Sequence, residues 1–291
     1  MSAQPEAITP AFLRERSLPQ PGDSKHARGT ALVVGGSPAT PGAIVLAGLA
    51  ALRAGAGVLT AAVPRSIAVP LAVGVPEAGV ASWDDRTPDE EPDLSPIAEK
   101  VAKSASVLVG PGLDDPDLTR RIVEMTLDNL DDEVPLVLDA YALGVLPDIG
   151  DRLRNEGLAL VLTPNHAEAA RLLEVEVEQT QNGDDVEIAT RLAERWPATI
   201  VYQGVVAAEG HDACSVGTGG GGLGTSGSGD VLAGALAGLL ARGADLHSAA
   251  CWATYLHSAA GDRLAARVGK VGFLARELLP ELPRVISEVE G

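Results

Sequence analysis

Aromatic residues are scarce in this chain, at 3%, and cysteine and methionine number two each. Lysine is almost as thin: only Lys25, Lys100, Lys103 and Lys270 among 22 basic residues, the others being arginine. Forty acidic residues outweigh them, and the formal net charge is −18. Phosphate backbones and anionic headgroups are held by clustered Lys and Arg, so neither a nucleic-acid nor a membrane partner is expected. Cys214 and Cys251 lack metal-ligand spacing, which predicts neither a disulfide framework nor a zinc site. The opening residues, MSAQPEAITPAFLRERS, have no apolar h-region and so no secretory signal. The longest apolar stretch, 31–63, is interrupted by Gly, Pro and Arg53 and is too broken to span a bilayer. A cytoplasmic protein is the expectation.

What the chain does have is 46% apolar residues, carried by Ala, Val and Leu, with 33 glycines beside them. That palette suits helices packed closely on a parallel sheet. Residues 1–28 read as an irregular, Pro-rich lead-in, and 29–291 as one domain without internal repeats. Strands are expected at 30–34, 58–63, 106–110, 135–139, 158–162 and 198–202. Helices are expected at 42–54, 114–129, 184–195, 230–242, 247–266 and 273–289, with an exposed acidic loop at 83–96. Alternation of strand and helix predicts an α/β fold with a mainly parallel central sheet. In such sheets ligands sit beyond the carboxyl ends of the strands. Those ends carry Gly35-Gly36-Ser37, Gly110-Pro111-Gly112, Asp139, Thr163-Pro164-Asn165 and Gln203-Gly204.

One segment carries most weight. Residues 217–242 read GTGGGGLGTSGSGDVLAGALAGLLAR, a glycine-rich loop running straight into an Ala/Leu helix. Glycine lets a backbone approach a phosphate closely, and the amides and positive dipole end of the helix then hold its charge. Thr225, Ser226, Gly227, Ser228 and Gly229 are the candidates for this anion hole. Asp230 falls in the first helical turn, where the dipole is expected to keep it ionised and able to take a proton from an attacking hydroxyl. The bland alternative is a flexible linker followed by a helix capped near Ser228 or Asp230. Gly217 to Gly222 matches G-x-G-x-x-G only trivially, and no G-x-x-x-x-G-K-[ST] occurs.

The G-x-G-D helix start resembles the signature of the ribokinase-like superfamily. Lys25-His-Ala-Arg-Gly29, Gly35-Gly36-Ser37, Pro41-Gly42-Ala43 and Ala51-Leu-Arg-Ala-Gly-Ala-Gly57 resemble the opening series of the ADP-dependent NAD(P)H-hydrate dehydratase family. Val75-Pro76-Glu77, Gly110-Pro-Gly-Leu113, Leu138-Asp139-Ala140, Thr163-Pro164 and Gly224-Thr-Ser-Gly-Ser-Gly-Asp230 follow in that family's order.

The resemblance implies a three-layer α/β/α ribokinase-like fold. It implies repair of hydrated NADH or NADPH by loss of water, driven by ADP or ATP with Mg²⁺. Asp230 would be the base. Ala43, Gly112, Asn165 and Asp230 match the family's positions for the hydrated nicotinamide nucleotide, and Gln203, Gly204 and Gly229 those for the adenine nucleotide. A homo-oligomer, with a tetramer as one form, is implied too, and the Ala-rich helices at 42–54 and 229–266 are candidates for subunit packing.

Three positions depart from the pattern. Asn165 stands for the family's His in T-P-H-x-x-E, Gln203 for a Lys, and Tyr141 for the last residue of D-A-D. Asn165-x-x-Glu168 instead matches the N-x-x-E of sugar kinases, which makes Glu168 a candidate for arranging Mg²⁺; the alternative is an ordinary first-turn helix acid. The departures keep two further readings open: a small-molecule kinase of the same fold, and a catalytically weak nucleotide-binding relative. His166 reads as a cap or surface residue, His247, His257 and Cys251 as packing, and Trp196 and Trp252 as anchors.

Overall fold

The structure, a computed structural model, describes residues 4–20, 22–85 and 91–291. Ten strands form one sheet: β1 (Glu6–Ala7), β2 (Thr30–Val34), β3 (Val58–Pro64), β4 (Ala78–Trp83), β5 (Ser106–Val109), β6 (Leu136–Leu138), β7 (Leu160–Leu162), β8 (Thr199–Tyr202), β9 (Val205–Ala207) and β10 (Cys214–Ser215). Their order is β1-β10-β9-β8-β7-β6-β5-β2-β3-β4. Every neighbouring pair is parallel except β8–β9 and β9–β10.

The helices are α1 (Pro10–Glu15), α2 (Pro41–Ala54), α3 (Arg65–Gly74), α4 (Ser95–Val101), α5 (Pro116–Asn129), α6 (Leu146–Glu156), α7 (His166–Leu173), α8 (Val177–Gln181), α9 (Asp185–Arg195), α10 (Ser228–Ala241), α11 (Leu246–Arg267), α12 (Ala275–Leu278) and α13 (Glu281–Glu290). They cover both faces of the sheet, which gives the expected three layers. Side chains alternate accordingly: in β2, Val33 joins the core under α2, α10 and α11, while Leu32 and Val34 join the core under α5, α7 and α9. Both cores are built mainly of Ala, Val, Leu and Ile, as the thin aromatic content requires.

The strand order reverses at β2. The chain runs outward through β3 and β4, then returns to place β5 on the other flank of β2. A crevice opens at such a switch point, beyond the strand ends. Here the loops after β2 and β5 lie against one another: Gly36 N–H donates to Pro111 O at 2.8 Å.

α10 lies almost on the backbone of α2. A methyl group on Gly234 would come within 2.1 Å of Ala47 O, and one on Gly238 within 2.2 Å of Ala51 O. Small residues on these two helices are therefore used for packing inside the chain. Ser106 Oγ on β5 donates to Ala237 O at 2.7 Å and holds α10 from the sheet side.

Several expectations change. The lead-in is not irregular. β1 pairs in parallel with β10, and Ile8, Phe12, Leu13 and Leu18 are buried in the core. Residues 1–3 and 21 of that segment, and 86–90 of the expected acidic loop, lie outside the described residues. That loop is bounded by β4 on one side and α4 on the other. The helix expected at 273–289 is divided at Pro280, which cannot continue α12 and instead caps α13. Trp196 and Trp252 are anchors: each is buried, and Trp252 Nε1 donates to Arg16 O at 2.8 Å. No helix among the described residues is long and apolar enough to cross a membrane.

Candidate active site

α10 begins where the chain makes a left-handed turn. Gly227, at the cap, has φ 87°, and a methyl group there would meet Leu46 Cδ1 of α2 at 2.5 Å. Only glycine satisfies both the angle and the space. The turn delivers Asp230 into the first helical turn, with its Oδ2 only 3.7 Å from where that methyl would stand.

Asp230 does not behave as the helix dipole alone would dictate. Burial outweighs the dipole and pushes its carboxyl up to about 6. It remains mostly ionised at neutral pH, yet basic enough to accept a proton.

A second acid stands beside it. Asp139, at the end of β6, is buried and accepts from Thr163 Oγ1 at 2.6 Å. Burial pushes its carboxyl up to about 8; the Thr163 hydrogen bond opposes this, and the charges of Glu168 and Asp230 add to it. The next residue, Ala140, has φ 51°, a conformation that costs a residue with a side chain. A methyl group on Gly110 would lie 1.8 Å from Asp139 O, so the β5 loop and the acid fit only through glycine. Asp139 was visible in the sequence as a strand-end acid. Its protonation, which depends on burial, was not.

Ala43 and Gly112 meet at the switch point, where a methyl on Gly112 would come 2.9 Å from Ala43 Cβ. Thr40 Oγ1 donates to Gly112 O at 2.8 Å and ties the two loops. Ala43 and Leu46 share one face of α2, so contacts run from Gly112 through that face to Gly227 and Asp230.

At the start of α10 opens a cleft of about 1010 Å³, whose wall reaches Ser228 and Gly229, next to Asp230 in the chain. Asn165, Gln203, Gly204, Ser228 and Gly229 lie on its wall, with residues 216–221 and Gly224 opposite. Thr225 and Ser226 are not on that wall; Thr225 O accepts from Ser228 N–H at 3.1 Å and closes the turn instead. Four glycines of the wall, Gly217, Gly220, Gly221 and Gly229, have no positive φ, and a methyl group on any of them would touch nothing. Neither backbone angle nor packing demands glycine at these positions. A ligand lying against the bare backbone would.

The departures receive structural accounts. Asn165 and Glu168 form a reciprocal cap at the start of α7. Asn165 Oδ1 accepts from Glu168 N–H at 3.0 Å, and Glu168 Oε2 accepts from Asn165 N–H at 2.9 Å. Burial raises the Glu168 carboxyl, against the hydrogen bonds from Asn165. Gln203 and Gly204 have φ 46° and 80° and make the two-residue turn between β8 and β9, a turn that demands two left-handed residues. His166 Nδ1 lies 2.7 Å from Tyr202 Oη and 3.0 Å from Thr180 O, away from the cleft wall. Tyr141 is exposed.

His257 is more than packing. It lines the cleft, and its Nε2 reaches Ser228 Oγ at 2.7 Å and Ser228 O at 3.0 Å. Burial pulls its pKa down to about 4, so it is neutral there. Asp262, one helical turn further, accepts from Gly219 N–H at 3.2 Å. α11 thus holds both the first residue of α10 and the glycine run. No local sequence signal announces this, because the partners are joined only by the fold.

A family model described as NAD(P)H-hydrate dehydratase matches residues 31–284. An ADP-dependent (S)-NAD(P)H-hydrate dehydratase of Xanthomonas campestris is 40% identical, over 97% of this chain and 96% of that protein. A bifunctional NAD(P)H-hydrate repair enzyme of Moorella thermoacetica is 38% identical over 97% of this chain, which spans only 54% of the larger protein. Among solved structures, an ADP/ATP-dependent NAD(P)H-hydrate dehydratase from Bacillus subtilis, co-crystallized with ATP/Mg²⁺, superposes with a TM-score of 0.82 at 28% identity. The match covers 99% of this chain and all of that one.

Proposed function

The chain belongs to the NAD(P)H-hydrate dehydratase family, and on that footing we propose that it restores hydrated NADH or NADPH by dehydration driven by ADP or ATP, with Asp230 as the base. The observation that carries this reading is the junction of two features at the start of α10. A wall of glycines that the protein itself does not require ends at Gly229, and the next residue is a carboxyl poised at about 6.

In this reading the adenine nucleotide lies along the glycine wall, with Gln203, Gly204 and Gly229 against it. The hydrated nicotinamide nucleotide enters from the switch point past Gly112 and Ala43, with Asn165 at the border between the two. Asp230 takes the proton of the hydrate hydroxyl as that oxygen attacks the terminal phosphorus, and AMP leaves from ADP, or ADP from ATP. The amides of Gly227 and Gly229 and the helix dipole balance the charge on the phosphoryl oxygens. Phosphate then departs with the C–O bonding pair, a neighbouring carbon gives up its proton, and the ring double bond returns. The net change is hydrate plus ADP to reduced dinucleotide, AMP and phosphate.

Mg²⁺ is a hard cation that takes oxygen donors. The carboxylates of Asp139 and Glu168 and the amide oxygen of Asn165 offer them, and a divalent cation would favour the ionised form of Asp139 that burial chiefly, and the nearby charges of Glu168 and Asp230 further, disfavour. Bound there it would neutralise phosphate charge. Asn165 and Glu168 also form a helix cap, so the N-x-x-E pattern has a local role that does not depend on a sugar kinase, which leaves the dehydratase reading ahead.

The test is incubation of the purified chain with hydrated NADH, Mg²⁺ and ADP, following the reduced nicotinamide absorbance. Recovery that depends on nucleotide is expected, and Asp230→Asn should remove it. A folded protein that restores no absorbance with either ADP or ATP overturns the reading.

A further inference from the structure

Cys214 and Cys251 have no ligand spacing in the sequence, yet the fold sets them around one imidazole. Cys214 lies on β10, while His247 and Cys251 are one turn apart on the same face of α11. Cys214 Sγ is 3.9 Å from His247 Nε2, and Cys251 Sγ is 3.9 Å from His247 Nδ1. One ligand atom from each residue falls within 4.8 Å of those of the other two. Exposure is 1% at Cys214, 0% at Cys251 and 8% at His247.

His247 is the informative member. Among the described residues, the hydrogen-bond partners of its ring nitrogens are the two sulfurs. His211 stacks on its face with ring centroids 4.3 Å apart, which supplies no hydrogen bond. Buried polar groups ordinarily find a strong partner, and leaving one without it is costly. Sulfur is a weak substitute. Two thiols and a weakly partnered imidazole are, however, a complete set of soft ligands.

We propose that Cys214, His247 and Cys251 bind a divalent ion of the zinc class, at a site outside the cleft and independent of the dehydratase reading. Zinc–sulfur bonds of about 2.3 Å and zinc–nitrogen bonds of about 2.0–2.1 Å put tetrahedral corners roughly 3.5–3.8 Å apart. With one ring nitrogen of His247 as the ligand, the three donor atoms lie within 4.8 Å of one another and must close by about 1 Å at most. On binding, each thiol releases its proton to solvent and the neutral imidazole gives a lone pair. Two thiolates then cancel the double positive charge, so the buried site is neutral. Water fills the fourth corner. An entry route exists, because a surface hollow of about 520 Å³ is lined by His211, Asp245 and His247. Mg²⁺ prefers oxygen and would not compete.

The ion would staple β10 to α11. β10 runs directly into Val216 and Gly217 on the cleft wall, and it also receives β1. The site is therefore a clasp on the edge of the sheet and takes no part in the chemistry.

The test uses the full chain, stripped of metal under reducing conditions and titrated with Co²⁺. One equivalent is expected to bring thiolate-to-cobalt absorption in the near ultraviolet and tetrahedral d–d bands in the visible. Zn²⁺ should displace the cobalt and raise the Tm, and Mg²⁺ should do neither. Cys214→Ser and Cys251→Ser should each abolish the bands. Folded wild-type protein that takes up no cobalt, or bands that survive in both variants, overturns the proposal. Should the variants fail to fold, native wild-type protein is alkylated with and without Zn²⁺ and read by mass spectrometry. Protection of both thiols by zinc is expected, and equal labelling overturns the proposal as well.

Discussion

Thr163 and Asp139 face one another across the ends of two adjacent strands, the threonine hydroxyl donating to the buried carboxyl at 2.6 Å. Folding raises the Asp139 carboxyl from its ordinary 3.8 to about 8, chiefly through burial. The folded chain thus keeps a proton that the unfolded chain has released at neutral pH. The stability linked to it is complete below about pH 4 and is lost as pH rises through about 8. Asp139→Asn should therefore raise the Tm more at high pH than at low pH, by the equivalent of about 1 kcal/mol or more. Thermal melts of both proteins across that range check this, and a Tm difference that ignores pH counts against it.

Asp230 must be ionised to act as a base, and its carboxyl sits at about 6. The rate kcat/KM should rise as pH climbs through that value and then level off. Asp230→Asn should lower kcat by about 10²–10⁴-fold while the circular dichroism stays that of the parent. A pH profile that is flat through this region would remove Asp230 from the role.

Gly229 has an ordinary backbone angle and open space where a side chain would stand. Alanine there should leave the Tm unchanged or raise it by up to about 1 kcal/mol equivalent, since glycine is the poorer helix former. The same substitution should raise the KM for ADP several-fold, because the methyl occupies the wall along which the nucleotide lies. Unchanged KM would move the nucleotide elsewhere.

Gly234 is the opposite case. A methyl on it would stand 2.1 Å from Ala47 O, a backbone atom that cannot step aside. Gly234→Ala should cost about 1–3 kcal/mol of stability, despite the better helix propensity of alanine. Chemical denaturation of the two proteins decides it.

The parts of the fold that were legible carried their signals locally. β2 is a run of apolar residues stopped by Gly35-Gly36, and α10 opens on glycines and continues as Ala and Leu, so both could be placed with their ends nearly right. β1 could not. It is two residues long and exists only because Cys214 and Ser215 lie beside it. The same holds for Cys214, His247 and Cys251, which share a site only once β10 meets α11. Asn165 and Glu168 show a different failure. Their spacing fits both a metal-arranging pair and a helix cap, and the cap became visible only in the hydrogen bonds. Asp230 was found from its neighbours, but the direction of its titration was not, because burial is invisible in a string of residues.

The two groups of glycines make the cleft asymmetric in stiffness. Gly234 and Gly238 let α10 seat so deeply on α2 that the helix start proposed to hold the phosphoryl group is tied to the core. Gly217, Gly220 and Gly221 meet nothing, and their strip is fastened to the body through Asp262 on Gly219. One jaw is an anvil and the other a strap. A new nucleotide preference would arise by altering the strap, while a change at Gly234 or Gly238 would be felt first as a folding defect.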